Sequence, residues 1–149
     1  MNAAVSEGRK LEQDLRHALG AGEFEVHYQP IINIETCRKV AMEALVRWRH
    51  PVYGLIRPDE FIPLAEETGL INALGEWVLQ QACCDASRWP LAVRVSVNLS
   101  PVQFQDSDLA GLVARILAET RLPAKRLELE ITESVLLHYS DENIGVLHR

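Results

Sequence analysis

Strand-like and helix-like segments take turns along this chain, and that order leaves few folds open. Residues 24–31 (FEVHYQPI), 40–48 (VAMEALVRW), 93–99 (VRVSVNL) and 126–132 (RLELEIT) alternate apolar and polar side chains with the two-residue period of an extended strand. Between the second and third, Phe61, Leu64 and Ala65 and then Ile71, Leu74, Val78, Ala82, Ala86 and Trp89 recur at helical spacing, divided at Gly69 and ended by Pro90. Between the third and fourth, Leu109, Leu112, Val113, Ile116 and Leu117 mark a helix over residues 108–120, with Asp106 or Ser107 as its cap and Leu122 and Pro123 at its end. Helical crossovers of this kind join parallel strands in a right-handed sense, so an α/β fold is expected.

The remaining links are shorter. Residues 32–39 (INIETCRK) form a polar turn that also suits a hairpin, and the sequence leaves both open. Residues 49–58 (RHPVYGLIRP) carry two prolines and a glycine and are expected to be a loop. Ahead of the first strand, Leu11, Leu15, Ala18 and Leu19 predict a short amphipathic helix stopped by Gly20 and Gly22. Near the end, Ser140 reads as a helix cap, with Ile144 and Leu147 starting an apolar stripe.

Parallel strands covered by helices are normally apolar on both faces, whereas each strand here has one polar face. Those polar groups gather toward the strands' C-terminal ends: Gln29, Glu43 with Arg47, Asn98, and Glu130. In a barrel the apolar face meets the helix shell and functional groups collect at the C-terminal mouth. An antiparallel sheet with one wet face is the plainer alternative, and the two long crossovers weigh against it. Four strand-helix units occupy 149 residues, where a closed barrel of eight takes about 250, so roughly half a barrel is expected.

The run VAMEALVRW carries the first chemical demand. Val40, Met42, Ala44, Val46 and Trp48 share one face; Ala41, Glu43, Leu45 and Arg47 share the other. A carboxylate among apolar neighbours costs several kcal/mol unless something neutralises it. Arg47 is four residues on, about 13 Å along an extended strand, too far to pair. Glu43, Asn98 and Glu130 converge from three strands, and two carboxylates with an amide oxygen make an all-oxygen set suited to a hard divalent cation such as magnesium or manganese. Asn98 has a plainer role as a cap for the turn into Ser100 and Pro101. Glu128 shares a face with Glu130, which lies nearer the mouth. His27 and His50 are expected to be hydrogen-bonded structural residues, Cys83 and Cys84 packing residues, and Trp77 and Trp89 core.

Composition narrows the setting. A net charge of −6 argues against nonspecific binding to a nucleic-acid polymer. Cys37, Cys83 and Cys84 make neither an even disulfide framework nor a zinc pattern, so reduced thiols and a cytoplasmic location are expected. No run approaches eighteen apolar residues and the first ten lack a signal-peptide pattern, so no membrane segment is expected within this chain.

At this point the chain resembles the EAL domain family of cyclic di-GMP phosphodiesterases. The matching motifs are HYQPI (27–31), EALVRW (43–48) with His50 and Pro51, FIPLAEETGLI (61–71), VNLS (97–100) with Gln103 and Phe104, and LELEITES (127–134), in order over residues 9–149. The resemblance implies a TIM-like (β/α) barrel of the EAL type, truncated to about its first four strand-helix units. It implies a linker helix over residues 1–22 and the N-terminal part of the phosphodiesterase domain over residues 23–149. Glu43, Asn98 and Glu130 would hold Mg2+ or Mn2+, and Glu133 would brace an active-site loop beside the catalytic Glu43. Gln29, Leu45 and Arg47 would line the dinucleotide site, with Arg47 directed at a phosphate and Pro58 and Phe61 near a guanine base. The implied activity is metal-dependent hydrolysis of cyclic di-GMP to pGpG. Further partners implied are an upstream GGDEF or sensory domain and a second copy in a homodimer.

The family pattern continues with a DDFGTG stretch, a water-activating lysine and an EGVE-like motif, which this sequence does not contain. The 149-residue chain is therefore expected to be inactive alone and to self-associate through its strand edges. The alternative is a noncatalytic module that binds cyclic di-GMP or a protein partner.

Overall fold

The computed structural model describes residues 3–90, 93–100 and 108–131, with side chains from Lys10 onward. Helix α1 (Ala3–Ala21) leads into β1 (Phe24–Ile32), and β2 (Lys39–His50) follows. The open choice at residues 32–39 resolves to a hairpin. Asn33 Oδ1 accepts from the backbone N–H of Glu35 (2.9 Å) and Thr36 (3.2 Å), and the Asn33 N–H donates to Arg38 O at 2.9 Å. An asparagine that bonds the backbone just ahead of it is a turn-former, and it returns β1 antiparallel to β2. The first two strands are thus not a strand-helix unit.

Beyond β2 the chain behaves as its periodicity predicts, with one addition. Residues 49–58 are not a plain loop: they include a three-residue strand, β3 (Gly54–Ile56), which pairs antiparallel with the end of β2 in the register Trp48↔Ile56 and His50↔Gly54. Gly54 has a φ of 73° in the tight return, which an L side chain seldom adopts. Helices α2 (Pro58–Thr68) and α3 (Leu70–Ser87) then carry the chain to β4 (Arg94–Leu99), parallel to β2. Helix α4 (Leu109–Thr120) and a short 3-10 turn (Ala124–Arg126) lead to β5 (Leu127–Ile131), parallel to β4. The five-stranded sheet has the order β1-β2-β4-β5, with β3 beside β2. It is open, with β1 and β5 at its two ends.

The helices start and stop for local reasons. Pro58 occupies the first turn of α2, where its missing N–H costs nothing, and Asp59 and Glu60 complement the helix dipole there. Gly69, with φ 79°, both ends α2 and begins α3. The cap of α4 is Asp108, whose side chain accepts from the Gly111 N–H at 3.2 Å, in place of the expected Asp106 or Ser107, which lie outside the described residues. A Cβ on residue 111 would strike that carboxylate, which explains the glycine. Ser140, Ile144 and Leu147 also lie outside the described residues.

The core fills the space between the sheet's outer face and α1, α2 and α3. Trp48 and Phe61 are fully buried and meet edge to face, with Phe24 against both at 5.7 Å between centroids. Leu15 and Ala18 of α1, Leu74, Leu79, Ala82 and Cys83 of α3, Val95 and Val97 of β4 and Ile116 of α4 belong to the same cluster. Burial pushes the Cys83 thiol up to about 11, so it packs as an apolar group; Trp77 and Trp89 lie partly buried against the same core. Two polar ties hold layers together. The Tyr28 hydroxyl donates to Asp85 Oδ2 at 2.6 Å, joining β1 to α3, and burial with that carboxylate raises the phenol above its ordinary range. Arg126 donates to Ala86 O and Val93 O, both at 3.0 Å, joining the end of α3 to the strands.

Candidate metal and ligand site

The inner face of the sheet carries the polar residues, and register decides which of them meet. One row across four strands reads Gln29, Glu43, Ser96 and Glu128, from the pairs Gln29↔Glu43, Glu43↔Ser96 and Ser96↔Glu128. One step toward the mouth, Asn98 pairs with Glu130. Asn98 Nδ2 reaches back diagonally and donates to Glu43 Oε2 at 3.2 Å. Asn98 and Glu130 lie near the C-terminal ends of β4 and β5, whereas Glu43 lies in the first half of β2 and joins them through the Asn98 hydrogen bond on the same face of the sheet.

Strand direction brings one correction. Because β1 runs antiparallel, its C-terminal end points to the opposite rim. Gln29 reaches the group through its register with Glu43, not by sitting at the mouth end of its strand. Glu43 is also less isolated than its own strand suggests, because its cross-strand neighbours Gln29 and Ser96 are polar. Glu128 is taken up elsewhere: Arg94 Nη1 lies 3.0 Å from its Oε1 at the base of the face.

Two carboxylates and a carboxamide fit a hard divalent cation, which takes oxygen donors from protein and water. No group of three His, Cys, Asp or Glu side chains that could hold a metal occurs among the described residues, so Asn98 is needed to make up the set. An independent observation supports a polar occupant. Ser96, beside Glu43, is fully buried, yet its hydroxyl has no hydrogen-bond partner among the described residues. A buried hydroxyl without a partner costs about 1–3 kcal/mol, an expense seldom kept without a use.

Beside this group lies a cavity of about 440 Å3 under α2, lined by Leu45, Arg47, Pro58, Ile62, Glu66, Asn98 and Ser100 among others. Arg47 is half-buried there, and its recorded bond is from Nη1 to Val46 O at 3.0 Å. It does not pair with Glu43, as the strand spacing predicts. The neighbouring cation is committed: Arg49 Nε lies 2.6 Å from Glu25 Oε1, and His27 Nε2 lies 2.8 Å from Oε2. Those two partners, Arg49 first, hold the Glu25 carboxyl down at about 2. The difference leaves the Arg47 guanidinium, unlike that of Arg49, without a carboxylate partner among the described residues.

Phe61 is not in that lining; it is fully buried in the aromatic core against Trp48. Glu133, Gln103 and Phe104 lie outside the described residues. His50 is structural. Its Nδ1 accepts the backbone N–H of Val52 (3.0 Å) and Tyr53 (3.2 Å), so its proton is on Nε2, which donates to Asp14 Oδ2 at 2.7 Å. Two site features escaped sequence reasoning: the Ser100 hydroxyl, which donates to Glu66 Oε2 at 2.6 Å, and the buried Ser96. Both serines sit two residues from Asn98 in a run read for its apolar partners, and the position of Glu66 one turn after Ile62 was the available signal.

Residues 12–149 match the family model described as the EAL domain, and the chain belongs to the EAL domain family. It is 52% identical over 147 residues to the protein y4lL of Sinorhizobium fredii, covering 99% of this chain and 18% of that one. It is 39% identical over 153 positions to the bifunctional diguanylate cyclase/cyclic di-GMP phosphodiesterase MucR of Pseudomonas aeruginosa, covering 100% of this chain and 22% of that one. The chain thus spans about one-fifth of the length of these curated relatives. Among solved structures, the MucR phosphodiesterase in its c-di-GMP complex superposes with a TM-score of 0.90 at 40% identity, over 93% of this chain and 58% of that one. The fold is accordingly the TIM-like barrel of the EAL type, of which these strands form an open part. No helix among the described residues is long and apolar enough to cross a membrane.

Proposed function

We propose that this chain supplies the Glu43, Asn98 and Glu130 side of a cyclic di-GMP phosphodiesterase site that uses Mg2+ or Mn2+. The observation that carries the proposal is the convergence of these three oxygen donors from three parallel strands beside a cavity that contains Arg47. Glu43 and Glu130 supply negative charge to hold the cation, and Asn98 supplies a neutral oxygen without adding further charge. A cation so bound neutralises charge on a phosphodiester oxygen and acidifies a water. Arg47 orients the phosphate by charge-assisted hydrogen bonds, while Gln29 faces Glu43 across the hairpin. Leu45 and Pro58 give the ligand apolar walls, and Phe61 fixes α2 behind them. Glu133 is assigned to bracing the loop after β5, with residues 1–22 as a linker helix and residues 23–149 as domain. An upstream GGDEF or sensory domain, a homodimer and a cytoplasmic location belong to the same proposal.

The test joins this chain to the remaining part of the MucR phosphodiesterase barrel and follows conversion of cyclic di-GMP to pGpG with and without Mg2+. Metal-dependent turnover that Glu43→Gln abolishes is the expected result. Turnover surviving in the variant would sink the ligand assignment, and tight cyclic di-GMP binding without hydrolysis in the unaltered chimera would favour a binding module.

A further inference from the structure

We infer that Ser96 is a positioning residue for Glu43, its hydroxyl serving as a second hydrogen-bond donor to that carboxylate when a cation is bound; this rests on the cation site proposed above. Ser96 stands in register with Glu43 on one side and Glu128 on the other. Two diagonal pairs straddle it: Asn98 Nδ2 to Glu43 Oε2 at 3.2 Å toward the mouth, and Arg94 Nη1 to Glu128 Oε1 at 3.0 Å toward the base. Glu128 has its cation. Ser96 has no partner among the described residues, although it is fully buried and its Oγ can both donate and accept.

The Asn98 amide supplies Glu43 with one donor, from Nδ2 to Oε2. Its Oδ1 stays free to face a cation at the same time, and a carboxylate that ligates a cation can accept a further hydrogen bond. Carboxylates that ligate metals are themselves hydrogen-bonded, and loss of such a support typically weakens metal affinity 10–100-fold. Among the described residues of the row, Ser96 is the buried one whose donor is uncommitted, and it stands in register with Glu43 on the adjacent strand. On this account the unsatisfied hydroxyl is a cost of the metal-free state that the loaded state removes.

The test titrates the chimera of this chain and the remaining MucR barrel segment with Mn2+ alone, counting free ion by its electron paramagnetic resonance signal, and melts the metal-free protein in parallel. Ser96→Ala is expected to weaken Mn2+ binding about tenfold. The same variant should melt at or above wild type without metal, because the hydroxyl makes no bond there. Ser96→Cys, nearly the same shape but a poor donor, should lose affinity similarly. Unchanged affinity in Ser96→Ala, wild-type affinity in Ser96→Cys, or a marked drop in the metal-free melting temperature of Ser96→Ala overturns the inference. Glu43→Gln separates the two levels. If it weakens Mn2+ binding while Ser96→Ala does not, only the positioning role falls; if wild type and Glu43→Gln bind alike, or neither binds, the cation site falls with it.

Discussion

The two faces of this one sheet are built on opposite terms. On the outer face Trp48, Phe24 and Phe61 are buried together, and polar tips there are tied, as Trp48 Nε1 donates to Glu23 Oε1 at 3.0 Å and the Tyr28 hydroxyl to Asp85 Oδ2 at 2.6 Å. On the inner face, Glu43, Asn98 and Glu130 are at least partly open and share a single hydrogen bond among the described residues. The outer face resists change because its large side chains are buried against one another. The inner face is poised because a polar group there, the Ser96 hydroxyl, has no partner among the described residues. Stability and ligand chemistry are thereby separated by the pleat of the strand, with Trp48 pointing one way and Arg47 the other.

The sharpest way to break that contrast is to damage each face and read both stability and binding. Trp48→Ala should cost about 3–5 kcal/mol in urea denaturation, since a large aromatic leaves a cavity its neighbours cannot close. A cost under about 1 kcal/mol would mean that the outer face is not the stability face. Arg47→Ala should leave the melting temperature near wild type while weakening cyclic di-GMP binding about tenfold or more, by the loss of charged hydrogen bonds to phosphate. Arg49→Ala provides the control: it is exposed and already paired with Glu25, so binding should change far less. Equal losses at 47 and 49 would show a general charge effect rather than a directed contact.

His50→Ala tests a link between the faces and α1. Removing three hydrogen bonds from a buried ring should cost about 1–3 kcal/mol and loosen the turn at residues 51–54, visible as faster amide exchange at Val52 and Tyr53. The smallest effect concerns Glu25. Its folded carboxyl titrates at about 2, below the ordinary 4.5, so its pairing with Arg49 and His27 favours the fold above the ordinary value and is lost as pH falls from there through about 2. An NMR titration of Glu25 with a midpoint near 4.5 would remove that contribution.

Much of the architecture was legible in the chain because its signals are local. The periods that marked residues 40–48, 93–99 and 126–132 as strands, and the helices on both sides of Gly69, all survive in β2, β4, β5, α2 and α3. The hairpin at residues 33–38 was open because a polar turn and a short link look alike until pairing is known. Strand β3 was missed because three residues are too few to show alternation, and its partner lies in the end of β2. The α4 cap was misplaced by one or two positions, since several capping side chains adjoin and only backbone geometry chooses among them.

The site divided along the same line. By itself the sequence determined which groups exist and on which face of its strand each lies: a carboxylate at 43, an amide at 98 and a carboxylate at 130, all opposite the apolar stripe. Side-chain alternation along a strand is a local consequence of backbone geometry, so it can be read residue by residue. Only the tertiary structure decided which of these groups are neighbours. Register set Glu43 between Gln29 and Ser96, tied Glu128 to Arg94, and brought Asn98 within reach of Glu43. It also buried Phe61 in the core and left Arg47 facing the cavity while Arg49 went to Glu25. Cross-strand distance depends on how separate segments align, and no single stretch of chain carries that information.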